Sequence, residues 1–164
     1  MSELVRRFDR LLFFAIAGLL GAMVADVSMQ ILFRYLVRDA PTWTEELARF
    51  LFTWQIFLAA AVAFGRGSHI VVDILVAMVP ESLRRWMLFS SNLLVLAFLM
   101  VLAWQGANMV RMTSNMQSSA MELNMGVVYA SLPVSAVISA VYVLLRLIDT
   151  MRGVNSFSEI QGAN

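Results

Sequence analysis

The sequence predicts an all-α membrane protein with four transmembrane helices, and three observations carry that expectation. Hydrophobic residues make up 60% of the 164 residues, against roughly 45–50% in soluble domains. Mean hydropathy is +0.77. Four apolar runs, at about 11–33, 47–65, 86–110 and 126–148, each approach the ~20 residues that cross a ~30 Å hydrocarbon core as a helix. Backbone polar groups in lipid must be satisfied within their own segment, which makes each run helical. One membrane domain is expected over 1–152 and a flexible polar tail over 153–164.

Charge placement sets the expected orientation. All basic residues except His69 are arginines. Arg6, Arg7, Arg10, Arg66, Arg84, Arg85, Arg146 and Arg152 fall at the N-terminus, the second loop and the C-terminal end, whereas the first and third loops carry Arg34, Arg38, Arg49 and Arg111. By the positive-inside rule both termini are expected in the cytoplasm, with the stretch Trp43 to Arg49 and the loop 111–125 on the outer side. The first run follows three arginines but is too long for a signal-peptide core and lacks a small-residue cleavage site, so it reads as a permanent span.

Along that first span, Gly18, Gly21, Ala22 and Ala25 are small enough to admit another helix closely. Asp26 follows. An ionisable residue in a span is costly and is either an ion-coupling carboxylate or a group near the outer boundary, hydrated or paired with Arg34. The boundary reading is preferred.

The stretch Pro41-Thr42-Trp43-Thr44-Glu45-Glu46-Leu47-Ala48-Arg49 opens the second span. Thr42 is expected as its N-cap with Glu45 completing a capping box, Glu45 and Arg49 as an i,i+4 pair, and Trp43 at the membrane boundary. Glu46 is then in excess, free to meet Arg34 or a basic group on another chain. Further along, Ala59, Ala60, Ala61 and Ala63 form a small-residue surface, and Gly65-Arg66-Gly67-Ser68 ends the span.

The run His69 to Val79 is about 16 Å long as a helix, too short to cross, and is expected to lie along the inner membrane surface. His69 and Asp73 sit at helical spacing as a surface pair, and Arg84 and Arg85, after Pro80, anchor the third span on the cytoplasmic side. That span carries Asn92, Gln105 and Asn108. In the fourth, Pro133 is expected to bend the helix against the carbonyl of Tyr129. Ser131, Ser135 and Ser139 repeat every four residues beside Ala136 and Ala140, a pattern that suits packing more than a substrate path.

No catalytic constellation can be assembled. There are no cysteines and one histidine, so thiolate metal sites, disulfides and bis-histidine haem are excluded, and no phosphate loop or nucleophile arrangement is present. The sequence calls for no cofactor, no metal and no nucleic-acid partner; its partners are the lipid bilayer and other membrane chains.

Taken in order, Gln30-Ile31-Leu32-Phe33-Arg34-Tyr35, Trp43-Thr44-Glu45-Glu46-Leu47-Ala48-Arg49, Ala61-Val62-Ala63-Phe64-Gly65-Arg66-Gly67-Ser68-His69-Ile70-Val71-Val72-Asp73 and Tyr129-Ala130-Ser131-Leu132-Pro133 resemble the small membrane subunit of a tripartite ATP-independent periplasmic (TRAP) transporter. The spacing from Arg34-Tyr35 through Trp43 to Asp73 is the specific part. The resemblance implies a multi-pass protein of the bacterial inner membrane, partnered by a large permease subunit that carries substrate and sodium sites and works as an elevator. A periplasmic binding protein would deliver an organic anion, often a carboxylate. The small subunit would belong to the static scaffold, and a chain ending soon after its fourth span resembles the unfused form. Arg34, Trp43, Glu45, Glu46, Arg49, Ala59, Ala63, Ser131, Ser135 and Ser139 are its expected partner or scaffold contacts. The rival expectation is a self-contained small multidrug exporter, proton-coupled through Asp26.

Overall fold

The computed structural model describes residues 3–37, 41–66 and 80–151. The expected interfacial helix at 69–79, with His69 and Asp73, and the tail at 153–164 lie outside the described residues. Five α-helices follow in order: α1, Glu3–Leu32, prolonged by a π-helical turn, Phe33–Val37; α2, Thr42–Arg66; α3, Glu81–Thr113; α4, Met125–Tyr129; and α5, Ser131–Met151. Four helical stretches, Arg7–Leu36, Thr42–Gly65, Trp86–Thr113 and Met125–Leu145, are long and apolar enough to cross a membrane. The four spans expected from hydropathy are thus all present. Each helix overruns its apolar segment by several residues, because polar residues at the membrane boundary remain helical where hydropathy has already fallen.

The start and stop signals are local. Pro80 stands at the N-cap of α3 with φ −55° and ψ 146°; its fixed φ and missing N–H suit a helix start. Thr42 is the first helical residue of α2 and not its cap. The Thr44 hydroxyl donates to the Pro41 carbonyl at 2.7 Å, fastening the first turn, and Thr44 is fully buried. The fourth span is interrupted at Ala130, between α4 and α5. Pro133 lies in the first turn of α5, where it has no N–H for the Tyr129 carbonyl, and the helical ladder breaks beside that carbonyl as its ring requires. The Ala130 carbonyl is bonded again by the Val134 N–H at 3.1 Å.

The spans pack as an open array in the order α1–α2–α5–α3, with α1 against α2, α2 against α5 and α5 against α3, and among the described residues α1 does not pack on α3. One apolar cluster joins α1, α2 and α5 through Leu12, Leu58, Val62 and Tyr142, with Ile16, Leu19, Trp54 and Ile138 around it. A second joins α3 and α5 through Leu99, Ala136, Ala140 and Val143, with Phe64 of α2 at its edge. Close approach of α3 and α5 depends on Gly106: a Cβ there would lie 2.9 Å from Cδ of Pro133. The outer helices of the array leave large apolar side chains uncovered, Phe13 and Phe14 on α1 and Leu94 and Trp104 on α3 among them. Lipid is the solvent that suits such a surface.

Candidate functional site

The polar groups that could act in this chain gather at two ends of the array. At one end, α3 runs through Ser114 into a short hairpin before α4. Gln117 and Asn124 form an isolated antiparallel bridge, the Ser118 N–H reaches the Leu123 carbonyl at 2.9 Å, and the Met125 N–H reaches the Met116 carbonyl at 2.9 Å. Glu122 closes the hairpin at φ 53°, the left-handed region that costs a residue with a Cβ. Asn124 caps α4 by accepting from the Gly126 N–H at 2.8 Å.

The hairpin tip points three successive backbone N–H groups at one carboxylate. Ser119 and Ala120 donate to Oε1 of Glu46 at 3.1 and 3.2 Å, and Met121 donates to Oε2 at 3.1 Å. Consecutive N–H groups turned to one side form an anion-binding concavity, and an ionised carboxylate is an acceptor-only partner for them. Glu46 is the surplus acid of the α2 start, but its partners are backbone N–H groups and the Ser118 hydroxyl of the third loop and not Arg34. Among the described residues no ion pair joins Glu46 to Arg34, Glu45 to Arg49 or Asp26 to Arg34, so those three expected pairs are corrected. Arg34, Glu45 and Arg49 are exposed, where long side chains gain little from pairing. No capping box forms at Thr42, because the helix begins there and the Thr44 hydroxyl has taken the turn.

At the opposite end, the Tyr142 hydroxyl of α5 donates to Oδ1 of Asp9 on α1, and the Phe8 ring tilts against the Tyr142 ring with centroids 6.3 Å apart. The Tyr142 ring lies on Gly65 of α2, where a Cβ would come within 3.0 Å of it. Three helices therefore meet around one phenol. Sequence reading missed both Tyr142 and Asp9; neither belongs to a motif, and only the polar tip of a tyrosine deep in an apolar run hinted that its hydroxyl would need a partner.

Asp26 is 5% exposed and both its carboxylate oxygens lack a hydrogen-bond partner, as does Oε1 of Gln55. Counting 1.5 Å per residue, Asp26 lies about 26 Å along α1 from Asp9, and Glu46 about 28 Å along α2 from Gly65, so both sit at the same end of the array. The serine stripe is internal. Ser131, Ser135 and Ser139 are buried and donate to Val128, Leu132 and Ser135 carbonyls at 2.8, 2.9 and 2.8 Å, so this face packs within the chain. Of the small residues on α2, Ala61 is buried while Ala59 and Ala63 are exposed. Trp43 is exposed at the start of α2. Arg84 and Arg85 are the fourth and fifth residues of α3. Among the described residues no three His, Cys, Asp or Glu side chains gather to hold a metal.

Four helices long and apolar enough to cross a membrane, with no metal cluster among the described residues, define the class as an all-α membrane protein. Residues 22–153 match the family described as tripartite ATP-independent periplasmic transporters, DctQ component, and the chain belongs to that family. It is a multi-pass protein of the bacterial inner membrane. Among its relatives, the isethionate TRAP transporter permease protein DctMQ of Oleidesulfovibrio alaskensis is 34% identical over 85% of this chain and 23% of its own length. The sialic acid TRAP transporter small permease protein SiaQ of Vibrio cholerae is 34% identical over 54% of this chain and 53% of its own. The C4-dicarboxylate TRAP transporter small permease protein DctQ of Vibrio cholerae is 29% identical over 73% of this chain and 58% of its own. The chain therefore spans between about a quarter and three fifths of the length of these relatives.

Proposed function

We propose that this chain is the small permease subunit of a TRAP transporter and forms part of the static scaffold for a large, sodium-coupled elevator subunit. A periplasmic binding protein would bring it an organic anion. The observation that carries the scaffold reading is the pair of cross-array bonds. Glu46 ties the start of α2 to the hairpin between α3 and α4, and Asp9 ties α1 to α5. The first ties α2 to a loop far along the chain and the second reaches past α2, and both resist shear in an open array that apolar packing alone would let slide. A wall that stays still while another domain moves through the bilayer has to resist that shear.

Membership of the DctQ family and the fused relative, whose matching part is about a quarter of a longer permease, support a large membrane subunit as partner. The substrates in the relatives' names, isethionate, sialic acid and C4-dicarboxylate, are one sulfonate and two carboxylate classes, so an organic acid anion is proposed here, with a carboxylate first. Arg34, Trp43, Glu45, Arg49, Ala59 and Ala63 are proposed contacts to the large subunit, since they are exposed. Arg84 and Arg85, with His69 and Asp73, are proposed as anchors at the cytoplasmic surface. The Glu46 end is proposed to face the outer side, a reading that the arginine asymmetry supports. The exporter reading through Asp26 is not favoured, because such a carboxylate belongs at mid-span and this one lies toward one end of α1.

Co-expression with the large permease subunit tests the proposal. The two chains are expected to co-purify in detergent and to support anion uptake in vesicles only together and only with a sodium gradient. Uptake by the small chain alone would contradict it.

A further inference from the structure

Arg10 is the last charge before the first span, since residues 11–25 carry none. Its guanidinium therefore marks the depth at which α1 leaves the hydrocarbon for the phosphates, a level that the long side chain can hold. Beside it opens a cleft of about 390 Å³ lined by Asp9, Arg10, Phe13 and Phe14. At 100° per residue, Arg10 and Phe14 each lie about 160° round the helix from Leu12, which packs in the cluster of α1, α2 and α5. They point away from the chain's own helices, and both are exposed, as is Phe13. The two phenyl rings meet edge to face, with centroids 6.2 Å apart and planes at 73°. They make an apolar shelf one helical turn deeper in the membrane than the charges.

Asp9 supplies the second charge of the cleft, and only half of it is used. The Tyr142 hydroxyl takes Oδ1. Among the described residues neither Oδ2 of Asp9 nor the Arg10 guanidinium has a partner. A carboxylate and a guanidinium that line one cleft without pairing, above aromatic rings at a membrane boundary, fit a ligand that carries both complementary charges on one short link above an apolar tail.

We propose that this cleft binds one phospholipid with a primary-ammonium headgroup, phosphatidylethanolamine, in the leaflet that faces the cytoplasm. Arg10 holds the phosphate, Oδ2 of Asp9 accepts from the ammonium, and the acyl chains lie on Phe13 and Phe14. The fork of a guanidinium matches phosphate oxygens. The carboxylate selects among phosphates: it repels a head that is only anionic, and a choline head has no N–H to donate to it. The leaflet follows from the arginine asymmetry. α3, the other end member of the array, exposes Leu94, Phe98 and Trp104, but 86–110 carries no charge that could read a headgroup. Because the same Asp9 bonds Tyr142, a bound lipid extends the contacts that join α1 to α5, and filling the cleft stabilises this end of the array. The inference needs only a membrane-spanning α1 and does not rest on the transporter reading.

The test uses the full chain, purified in detergent, stripped of lipid and titrated with short-chain phosphatidylethanolamine, phosphatidylglycerol or phosphatidylcholine, with bound lipid counted by native mass spectrometry. One phosphatidylethanolamine is expected to bind about tenfold tighter than either other lipid and to raise the melting temperature. Arg10→Ala should weaken all three, since all carry the phosphate. Asp9→Asn, whose amide oxygen still accepts from Tyr142, should bind phosphatidylethanolamine no better than phosphatidylcholine. The wild type reports the same contact without a variant: affinity should fall as the ammonium N–H groups are replaced one by one by methyl groups. Equal affinity for the three lipids, or no change along the methyl series, would overturn the proposal. Tightest binding of phosphatidylglycerol would overturn it in favour of a plain basic surface, and a preference that survives Asp9→Asn would remove the carboxylate from the site.

Discussion

The two ends of the array are held by opposite means. At the Asp9 end, one side chain donates to another across α2, and the contact depends on shape: the Tyr142 ring fits because residue 65 has no Cβ. At the Glu46 end, one side chain meets three backbone N–H groups, and the contact depends on the conformation of a hairpin. The first kind is rigid and intolerant of volume. The second tolerates almost any side chain at 119–121, where main chain alone takes part, but it needs the carboxylate, the Ser118 hydroxyl and the turn.

The largest effect is expected at the shape-dependent end. Gly65→Leu forces the Tyr142 ring away and should destabilise the isolated subunit by about 1–3 kcal/mol, read from unfolding in mixed micelles. Tyr142→Phe keeps the ring and removes the bond to Asp9, for a smaller loss of about 1–2 kcal/mol in the same measurement. A Phe variant as unstable as the Leu variant would show the hydroxyl, and not the fit over Gly65, to hold this end.

At the Glu46 end, Glu46→Ala should leave the apolar clusters intact and loosen the hairpin. The amides of Ser119, Ala120 and Met121 should then exchange with solvent much faster, as read by hydrogen–deuterium exchange, while those of α5 do not change. Replacing Ser119 or Ala120 by other residues should have little effect on the same amides. The smallest effect is a gain. Glu122→Gly relieves the left-handed backbone at φ 53° and should stabilise the hairpin by less than about 1 kcal/mol. Loss of protection at 119–121 in that variant would show that the turn is held by the Glu122 side chain.

Why one end was legible and the other was not follows from the same contrast. The four spans were readable because lipid imposes length and apolarity on every one of them, and Pro133 announced the break at Ala130 through its missing N–H. At the α2 start, the surplus of acid over base signalled that Glu46 needed a partner. The partner itself could not be read: three backbone N–H groups have no residue signature, and the stretch Thr113 to Asn124 contains neither Gly nor Pro to mark a turn. Expecting charge to seek charge pointed to Arg34, whereas an exposed arginine gains little by pairing. The serine stripe was expected to contact a partner or the scaffold, but periodicity does not reveal which neighbour covers a face, and here the three serines are buried within the chain. Tyr142 and Asp9 are 133 residues apart, and no local pattern links them.

Whether the chain stays still while its partner moves is the most direct test of the scaffold account. Nitroxide labels on Ser119→Cys and Leu11→Cys, both on exposed side chains near opposite ends of the array, report membrane depth through collision with lipid-soluble and water-soluble relaxants. In the reconstituted complex, both depths and the distance between the labels are expected to be the same with and without sodium and the transported anion. A substrate-dependent shift in the depth of either label would contradict the static scaffold and make this subunit part of the moving machinery.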